Sequence, residues 1–134
     1  MTTKETEMEM EAMKTHGAFS WNELVTTDIS AAKSFYSTLF GWQLEDQESE
    51  QMTYTMAKAG DKEVAGMMAM PKEAEGMPSA WGGYVTVDDV DKQVKRAENL
   101  GATTLVEPRD IPNIGRFSVI SDPQGAMITM ITYN

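Results

Sequence analysis

Residues 18–42 read AFSWNELVTTDISAAKSFYSTLFGW. Ala18 to Thr27 is β-like, and Asp28 to Ser30 then offers a helix start. Ala32, Phe35, Tyr36 and Leu39 follow at helical i, i+3, i+4, i+7 spacing, and Gly41 closes the helix. Sliding the chain by 60 residues lays Trp21 on Trp81, Thr26 on Thr86, Asp28 on Asp88, Phe40 on Leu100 and Gly41 on Gly101. The chain therefore reads as two copies of one module. Two copies suggest a closed, pseudo-twofold structure, because two half-sheets can bury each other's inner face and leave a cleft.

Working outward, Trp42 to Glu45, Met52 to Ala57 and Glu63 to Met70 read as strands, joined at an acidic turn around Asp46 to Glu50 and at Ala59-Gly60-Asp61. Module one, residues 17–70, is thus βαβββ. Residues 71–78, bounded by Pro71 and Pro78, read as a linker. In module two, residues 79–134, Trp81 to Val87 is a strand, and Asp88 or Asp89 caps a helix with the stripe Val90, Val94 and Ala97. Gly101 ends that helix, and Thr103 to Glu107, Phe117 to Ile120 and Ala126 to Tyr133 complete a second βαβββ unit. Asp122-Pro123-Gln124-Gly125 forms the last turn, its proline fixing φ and its glycine permitting φ > 0. Residues 1–16 are acidic and rich in Met and Glu, with no useful apolar stripe, and are expected to be a flexible tail or a loosely docked helix.

Composition narrows the function. With 134 residues the chain fits one domain, and with no cysteine it excludes disulfides, zinc-thiolate sites and thiol nucleophiles. A formal charge of −10 argues against phosphate-backbone binding, so no nucleic-acid partner is expected. Neither a signal peptide nor a membrane-spanning stretch is seen, so the expectation is a cytoplasmic protein without a membrane partner. Phosphate-binding glycine loops, HExxH and GxSxG are absent, and His16 is the sole histidine, which leaves Ser-His catalysis unsupported.

The tandem βαβββ pattern, Thr27-Asp28-Ile29 leading to Phe35-Tyr36 and Phe40-Gly41-Trp42, and Ser121-Asp122-Pro123-Gln124-Gly125 before a final strand together resemble the vicinal oxygen chelate superfamily. That superfamily contains glyoxalase I, bleomycin-resistance proteins, extradiol dioxygenases, fosfomycin-resistance transferases and methylmalonyl-CoA epimerase. The resemblance covers residues 17–134. It implies an α+β fold, with an eight-stranded mixed sheet arrangement cupped around a small ligand, and a homodimer. It also implies a divalent metal held by His and Glu, at positions that here carry Trp21, Gly82 (or Trp81 if the internal repeat is followed), Thr129 and a residue among Gly66 to Met68. None of these side chains is a good divalent-metal ligand, so no metal or other cofactor is expected.

Strand alternation places Trp21 and Glu23 on one face, which the resemblance turns toward the cup. Trp21 can serve as core packing or as a stacking surface. A carboxylate between Trp21 and Val25 is costly to bury unless paired or used, which makes Glu23 the candidate acid, base or counter-ion to a cationic ligand. Gly82, Tyr84 and Thr129 complete the candidate ligand-binding set, each also explicable as ordinary strand sequence. Arg116 is assigned to surface carboxylates. The leading expectation is a metal-free binder of a small organic molecule, cationic or aromatic. The alternative is an enzyme of lyase, isomerase or dioxygenase type, working through an unrecognised metal or through Glu23 as general base.

Overall fold

The alternating strands and Asp-to-Gly helix signals produce, among the residues described by the computed structural model (11–48 and 52–134), eight strands, two helices and a single 3-10 turn. In chain order these are β1 (Phe19–Thr26), α1 (Ile29–Phe40), β2 (Gln43–Glu48), β3 (Thr53–Ala59), β4 (Lys62–Ala69), the 3-10 turn (Lys72–Ala74), β5 (Ala80–Thr86), α2 (Val90–Asn99), β6 (Thr103–Ile111), β7 (Gly115–Ser121) and β8 (Met127–Tyr133). The class is α+β with a mixed sheet. Two compact units divide the chain: residues 21–82, and residues 11–20 with 83–134.

In the unit of residues 21–82 the strand order is β2-β3-β4-β1, with β1 parallel to β4 and the other pairs antiparallel. Asp28 caps α1, its carboxylate accepting from the Ala31 N–H at 3.0 Å. Gly41 ends α1 at φ 71°, where a side chain would be strained, and its N–H reaches Ser37 O at 2.9 Å. Lys33 on α1 donates to Asp46 on β2 at 2.9 Å, and Asp46 also accepts from Thr55 on β3 at 2.7 Å. These bonds identify the helix-covered face. Thr55, Met67 and Leu24 lie in one cross-strand row on it, and all three are buried.

Two expectations change in this unit. Asp46 to Glu48 continue β2 instead of turning, because Asp46 is fixed between Lys33 and Thr55 and the chain pairs on to Glu48 opposite Thr53. Residues 49 and 50, the rest of the expected turn, lie outside the described residues. The apolar stripe of α1 is also only partly inward: Ala32 and Tyr36 are half-buried, Phe35 and Leu39 are exposed, and no α1 residue is fully buried.

In the other unit the order is β5-β8-β7-β6, with β5 parallel to β8. Val87, Val90, Val94, Ile120 and Met130 form its core, and Val90 and Val94 are the inward stripe of α2. Asp89, not Asp88, is the α2 cap, its carboxylate accepting from the Lys92 N–H at 3.2 Å. β6 runs four residues beyond Glu107, accommodating Pro108 at the margin of the sheet order, where a missing N–H is tolerated. Arg116 pairs with Asp91 at 2.8 Å and Asp110 at 3.1 Å.

Of the acidic tail, residues 1–10 lie outside the described residues, while 11–16 make defined contacts. Thr86 Oγ1 donates to Ala12 O at 2.7 Å, and the Asp88 N–H donates to His16 Nδ1 at 3.0 Å. No described helix is long and apolar enough to cross a membrane.

Candidate functional site

The cap positions decide how the two modules correspond. Asp28 and Asp89 are 61 residues apart, so the shift of 60 is one residue out where the helices begin. A one-residue slip in a strand exchanges faces. Trp81 accordingly does not take the place of Trp21. Its indole N–H donates to Tyr36 on α1 at 3.0 Å, which sets Trp81 on the helix-covered side. Alternation sends Gly82 to the opposite side, where a Cβ would meet nothing within 4 Å.

That opposite face carries the candidate residues of the 21–82 unit. Register places Met56, Gly66 and Glu23 in one row across β3, β4 and β1, and Tyr54, Met68 and Val25 in the next. Trp21 and Glu23 share this face and are half-buried, with Asn22 exposed on the other. They are joined through Tyr54, which sequence reading did not single out. The Trp21 indole N–H donates to Tyr54 Oη at 2.8 Å, and Tyr54 Oη donates to Glu23 Oε2 at 2.8 Å.

Tyr54 reaches Glu23 only by lying across β4, and Gly66 makes the crossing possible. A Cβ on Gly66 would fall on the Tyr54 hydroxyl and ring carbons. Gly66 itself is buried. The phenol therefore occupies the place a side chain at residue 66 would take, between Trp21 and Glu23. Two signals for it were present: Tyr54 sits two residues before Met56 in an alternating strand, and Gly66 interrupts a run of larger apolar residues.

Trp21, Glu23 and Gly82 thus belong to one unit. Tyr84 and Thr129 are directly paired in the other, on β5 and β8, and both are half-buried. A cavity of about 360 Å³ also lies in that second unit, lined by Met13, Lys14, Thr86, Val87, Asp88 and the end of β8. None of the sequence-derived candidates lines it. Two of its hydroxyls already donate to main-chain carbonyls, Thr86 to Ala12 and Thr132 to Val87, both at 2.7 Å. The Trp21-Tyr54-Glu23 chain, by contrast, brings a carboxylate, a phenol and an indole together.

The fold family implies a divalent metal, and the donor set here does not fit one. Trp21 and Trp81 offer only indole N–H donors, used on Tyr54 and Tyr36; Gly66 and Gly82 offer no side chain, Met67 and Met68 only thioethers; Thr129 offers a single hydroxyl. Among the described residues no three His, Cys, Asp or Glu side chains gather as a metal set. What the arrangement brings together is organic: a carboxylate, Glu23, that accepts from the Tyr54 phenol, and the Trp21 indole, which donates to that same phenol.

Comparison with known proteins agrees with this architecture. The family described as Glyoxalase/Bleomycin resistance protein/Dioxygenase superfamily matches residues 18–130. CFP32 of Mycobacterium tuberculosis is 40% identical over 116 residues, covering 86% of this chain and 44% of that protein. The anthracycline biosynthesis protein DnrV of Streptomyces peucetius is 31% identical over 123 residues, covering 82% of this chain and 45% of that protein. The chain spans less than half the length of these curated relatives. Among solved structures, methylmalonyl-CoA epimerase from Mycobacterium tuberculosis superposes with a TM-score of 0.58 at 16% identity, covering 86% of each chain. An extradiol ring-cleaving dioxygenase from B. fuscum gives a TM-score of 0.59 at 19% identity, covering 87% of this chain and 32% of that one. These two share the fold.

Proposed function

Starting from the fact that the chain belongs to the glyoxalase/bleomycin resistance protein/dioxygenase superfamily, we propose that it binds a small organic molecule without a metal ion. The Trp21-Tyr54-Glu23 chain is the binding element. The observation that carries this reading is the placement of Tyr54 Oη, which accepts from Trp21 and donates to Glu23, both at 2.8 Å, over a buried Gly66. Trp21 stands where the family resemblance implies a metal ligand, another such position falls within Gly66 to Met68, and a phenol bridges the space between Trp21 and Glu23.

The chemistry of these groups favours a ligand with an apolar, planar body and a cationic or hydrogen-bond-donating group. The indole and the thioethers of Met56 and Met68, on the same face, suit the body, since sulfur and aromatic groups are polarizable. Glu23 suits the donor, because a charge-assisted hydrogen bond is about twice as strong as a neutral one. Similarity to a protein named for anthracycline biosynthesis supports an aromatic ligand. The net charge of −10 favours cations over anions at long range.

The test is a thermal-shift screen of cationic and neutral aromatic compounds, run with and without a chelator, beside elemental analysis of dialysed protein. Stabilisation by cationic aromatics regardless of chelator, with no stoichiometric metal, is the expected result. About one dialysis-resistant divalent ion per chain would overturn it.

A further inference from the structure

Residues 11–17 fold into a turn that is pinned to the end of β5. Within it the Lys14 N–H donates to Glu11 O at 3.0 Å, and the Thr15 hydroxyl donates to the same carbonyl at 2.6 Å. The turn is held by Thr86 Oγ1, which donates to Ala12 O at 2.7 Å, by the Gly17 N–H, which reaches Thr86 O at 2.7 Å, and by the Asp88 N–H, which reaches His16 Nδ1 at 3.0 Å. It thereby becomes one wall of the cavity of about 360 Å³, with Met13 and Lys14 on it, while the ends of β5 and β8 form the other wall, with Asp88 and Tyr133. All of these residues belong to the unit of residues 11–20 and 83–134.

We infer that this cavity is a binding site for a small zwitterion, an α-amino acid with an apolar side chain, whose carboxylate meets Lys14 and whose ammonium meets Asp88. The two walls bear opposite charges that nothing nearby cancels. Among the described residues Lys14 has no ion-pair partner. The Asp88 carboxylate has His16 Nδ1 at 3.7 Å, but that nitrogen accepts the Asp88 N–H, so the imidazole is uncharged in this arrangement and leaves the carboxylate unneutralised. The Asp88 side chain is 81% exposed, so a ligand can reach it.

The remaining chemistry of the walls fits the same ligand. The hydroxyls of Thr86 and Thr132 are spent as donors on main-chain carbonyls at 2.7 Å and can only accept from a ligand, which suits the N–H groups of an ammonium. Met13 and the half-buried Tyr133 supply apolar surface for a side chain. Small-molecule sites span about 300–1,000 Å³, and this cavity stands at the low end, where an amino acid fits and a larger body does not. A simple anion is repelled by a chain of net charge −10, and a simple cation meets Lys14; a zwitterion carries no net charge and satisfies both walls. The site shares no residue with the Trp21-Tyr54-Glu23 chain and stands independently of it.

The experiment is an amide-resolved NMR titration of the 134-residue chain with L-leucine, L-methionine and L-phenylalanine, each to about 20 mM. The Lys14, Thr86 and Asp88 amide signals should shift together and saturate with at least one of the three, at a millimolar Kd, because both charged groups are solvent-exposed and each contact is weak. The methyl ester of that amino acid lacks the carboxylate and its N-acetyl derivative lacks the ammonium, so each should bind about 10-fold more weakly or worse. Lys14→Met should abolish the difference between the amino acid and its ester, and Asp88→Asn the difference between the amino acid and its N-acetyl derivative. Both side chains are exposed, so far-UV circular dichroism should be unchanged, and Lys14→Gln and Asp88→Ser serve if either variant fails to fold. No saturable shift at the three amides with any of the amino acids, shifts confined to residues 21–82, or a derivative that binds as tightly as its parent would each overturn the inference.

Discussion

Tyr54 is where the site is held together, and it is the residue whose change should be most informative. Tyr54→Phe keeps the ring and removes one oxygen, with it the bonds to Trp21 and Glu23. Net hydrogen-bond contributions at a half-buried position put the loss at about 1–2 kcal/mol, measurable by urea denaturation. Gly66→Ala attacks the same contact from the other side, since the new methyl falls on the Tyr54 ring. Overpacking of that kind costs about 1–3 kcal/mol. In a Tyr54→Ala background most of that penalty should vanish, and a double-mutant cycle showing no coupling would rule the contact out. That Trp21 and Glu23 share a face was legible from the sequence because β1 alternates cleanly between its faces. Tyr54 was not, because its contact spans three strands and depends on their register, which includes an irregularity at Ala57 and Lys58.

At the scale of elements, the two helices should respond differently to loss of their caps. Asp89→Ala removes the cap of a helix whose Val90 and Val94 lie in the core, so global stability should fall by about 0.5–2 kcal/mol. Asp28→Ala uncaps α1, which has no fully buried residue, and should chiefly speed hydrogen exchange along α1 while moving the global midpoint less. The Asp28 cap and the closing glycines were readable from residue type and spacing, whereas the α2 cap was narrowed only to Asp88 or Asp89. The outward turn of Phe35 and Leu39 was not, since periodicity reveals a stripe without telling what covers it. Acid should loosen the attachment of α1 to β2. The hydrogen bond from Lys33, followed by that from Thr55, lowers the Asp46 pKa below its ordinary 3.8, so the folded state binds this proton less readily than the unfolded one. The resulting stability is present above about pH 4 and disappears as pH falls through and below that range. Lys33→Met should blunt the acid dependence in pH-resolved denaturation, modestly, because both partners are partly solvent-exposed.

For the whole molecule, the tandem βαβββ order was legible because each module repeats a strand, an Asp cap, a helix and a glycine. The register between modules was less so: the helices differ in length, 12 residues against 10, and one shift cannot align both their starts and their ends. That single residue separates Gly82 from Trp81, and with it the open face from the helix-covered one. The sequence also showed unsuitable metal donors at the implied positions, whereas the phenol bridging Trp21 and Glu23 became visible only with the strands in register. The central claim is that Glu23, held by Tyr54, binds an organic cation directly. Calorimetry of a screened cationic aromatic ligand on wild type and Glu23→Gln, each with and without a chelator, addresses it most directly. Glutamine can still accept from Tyr54, so the fold should persist while affinity drops by about 1–3 kcal/mol, roughly 5- to 150-fold, and the chelator should change nothing. Equal affinity in the two proteins, or binding abolished by the chelator, would contradict the account.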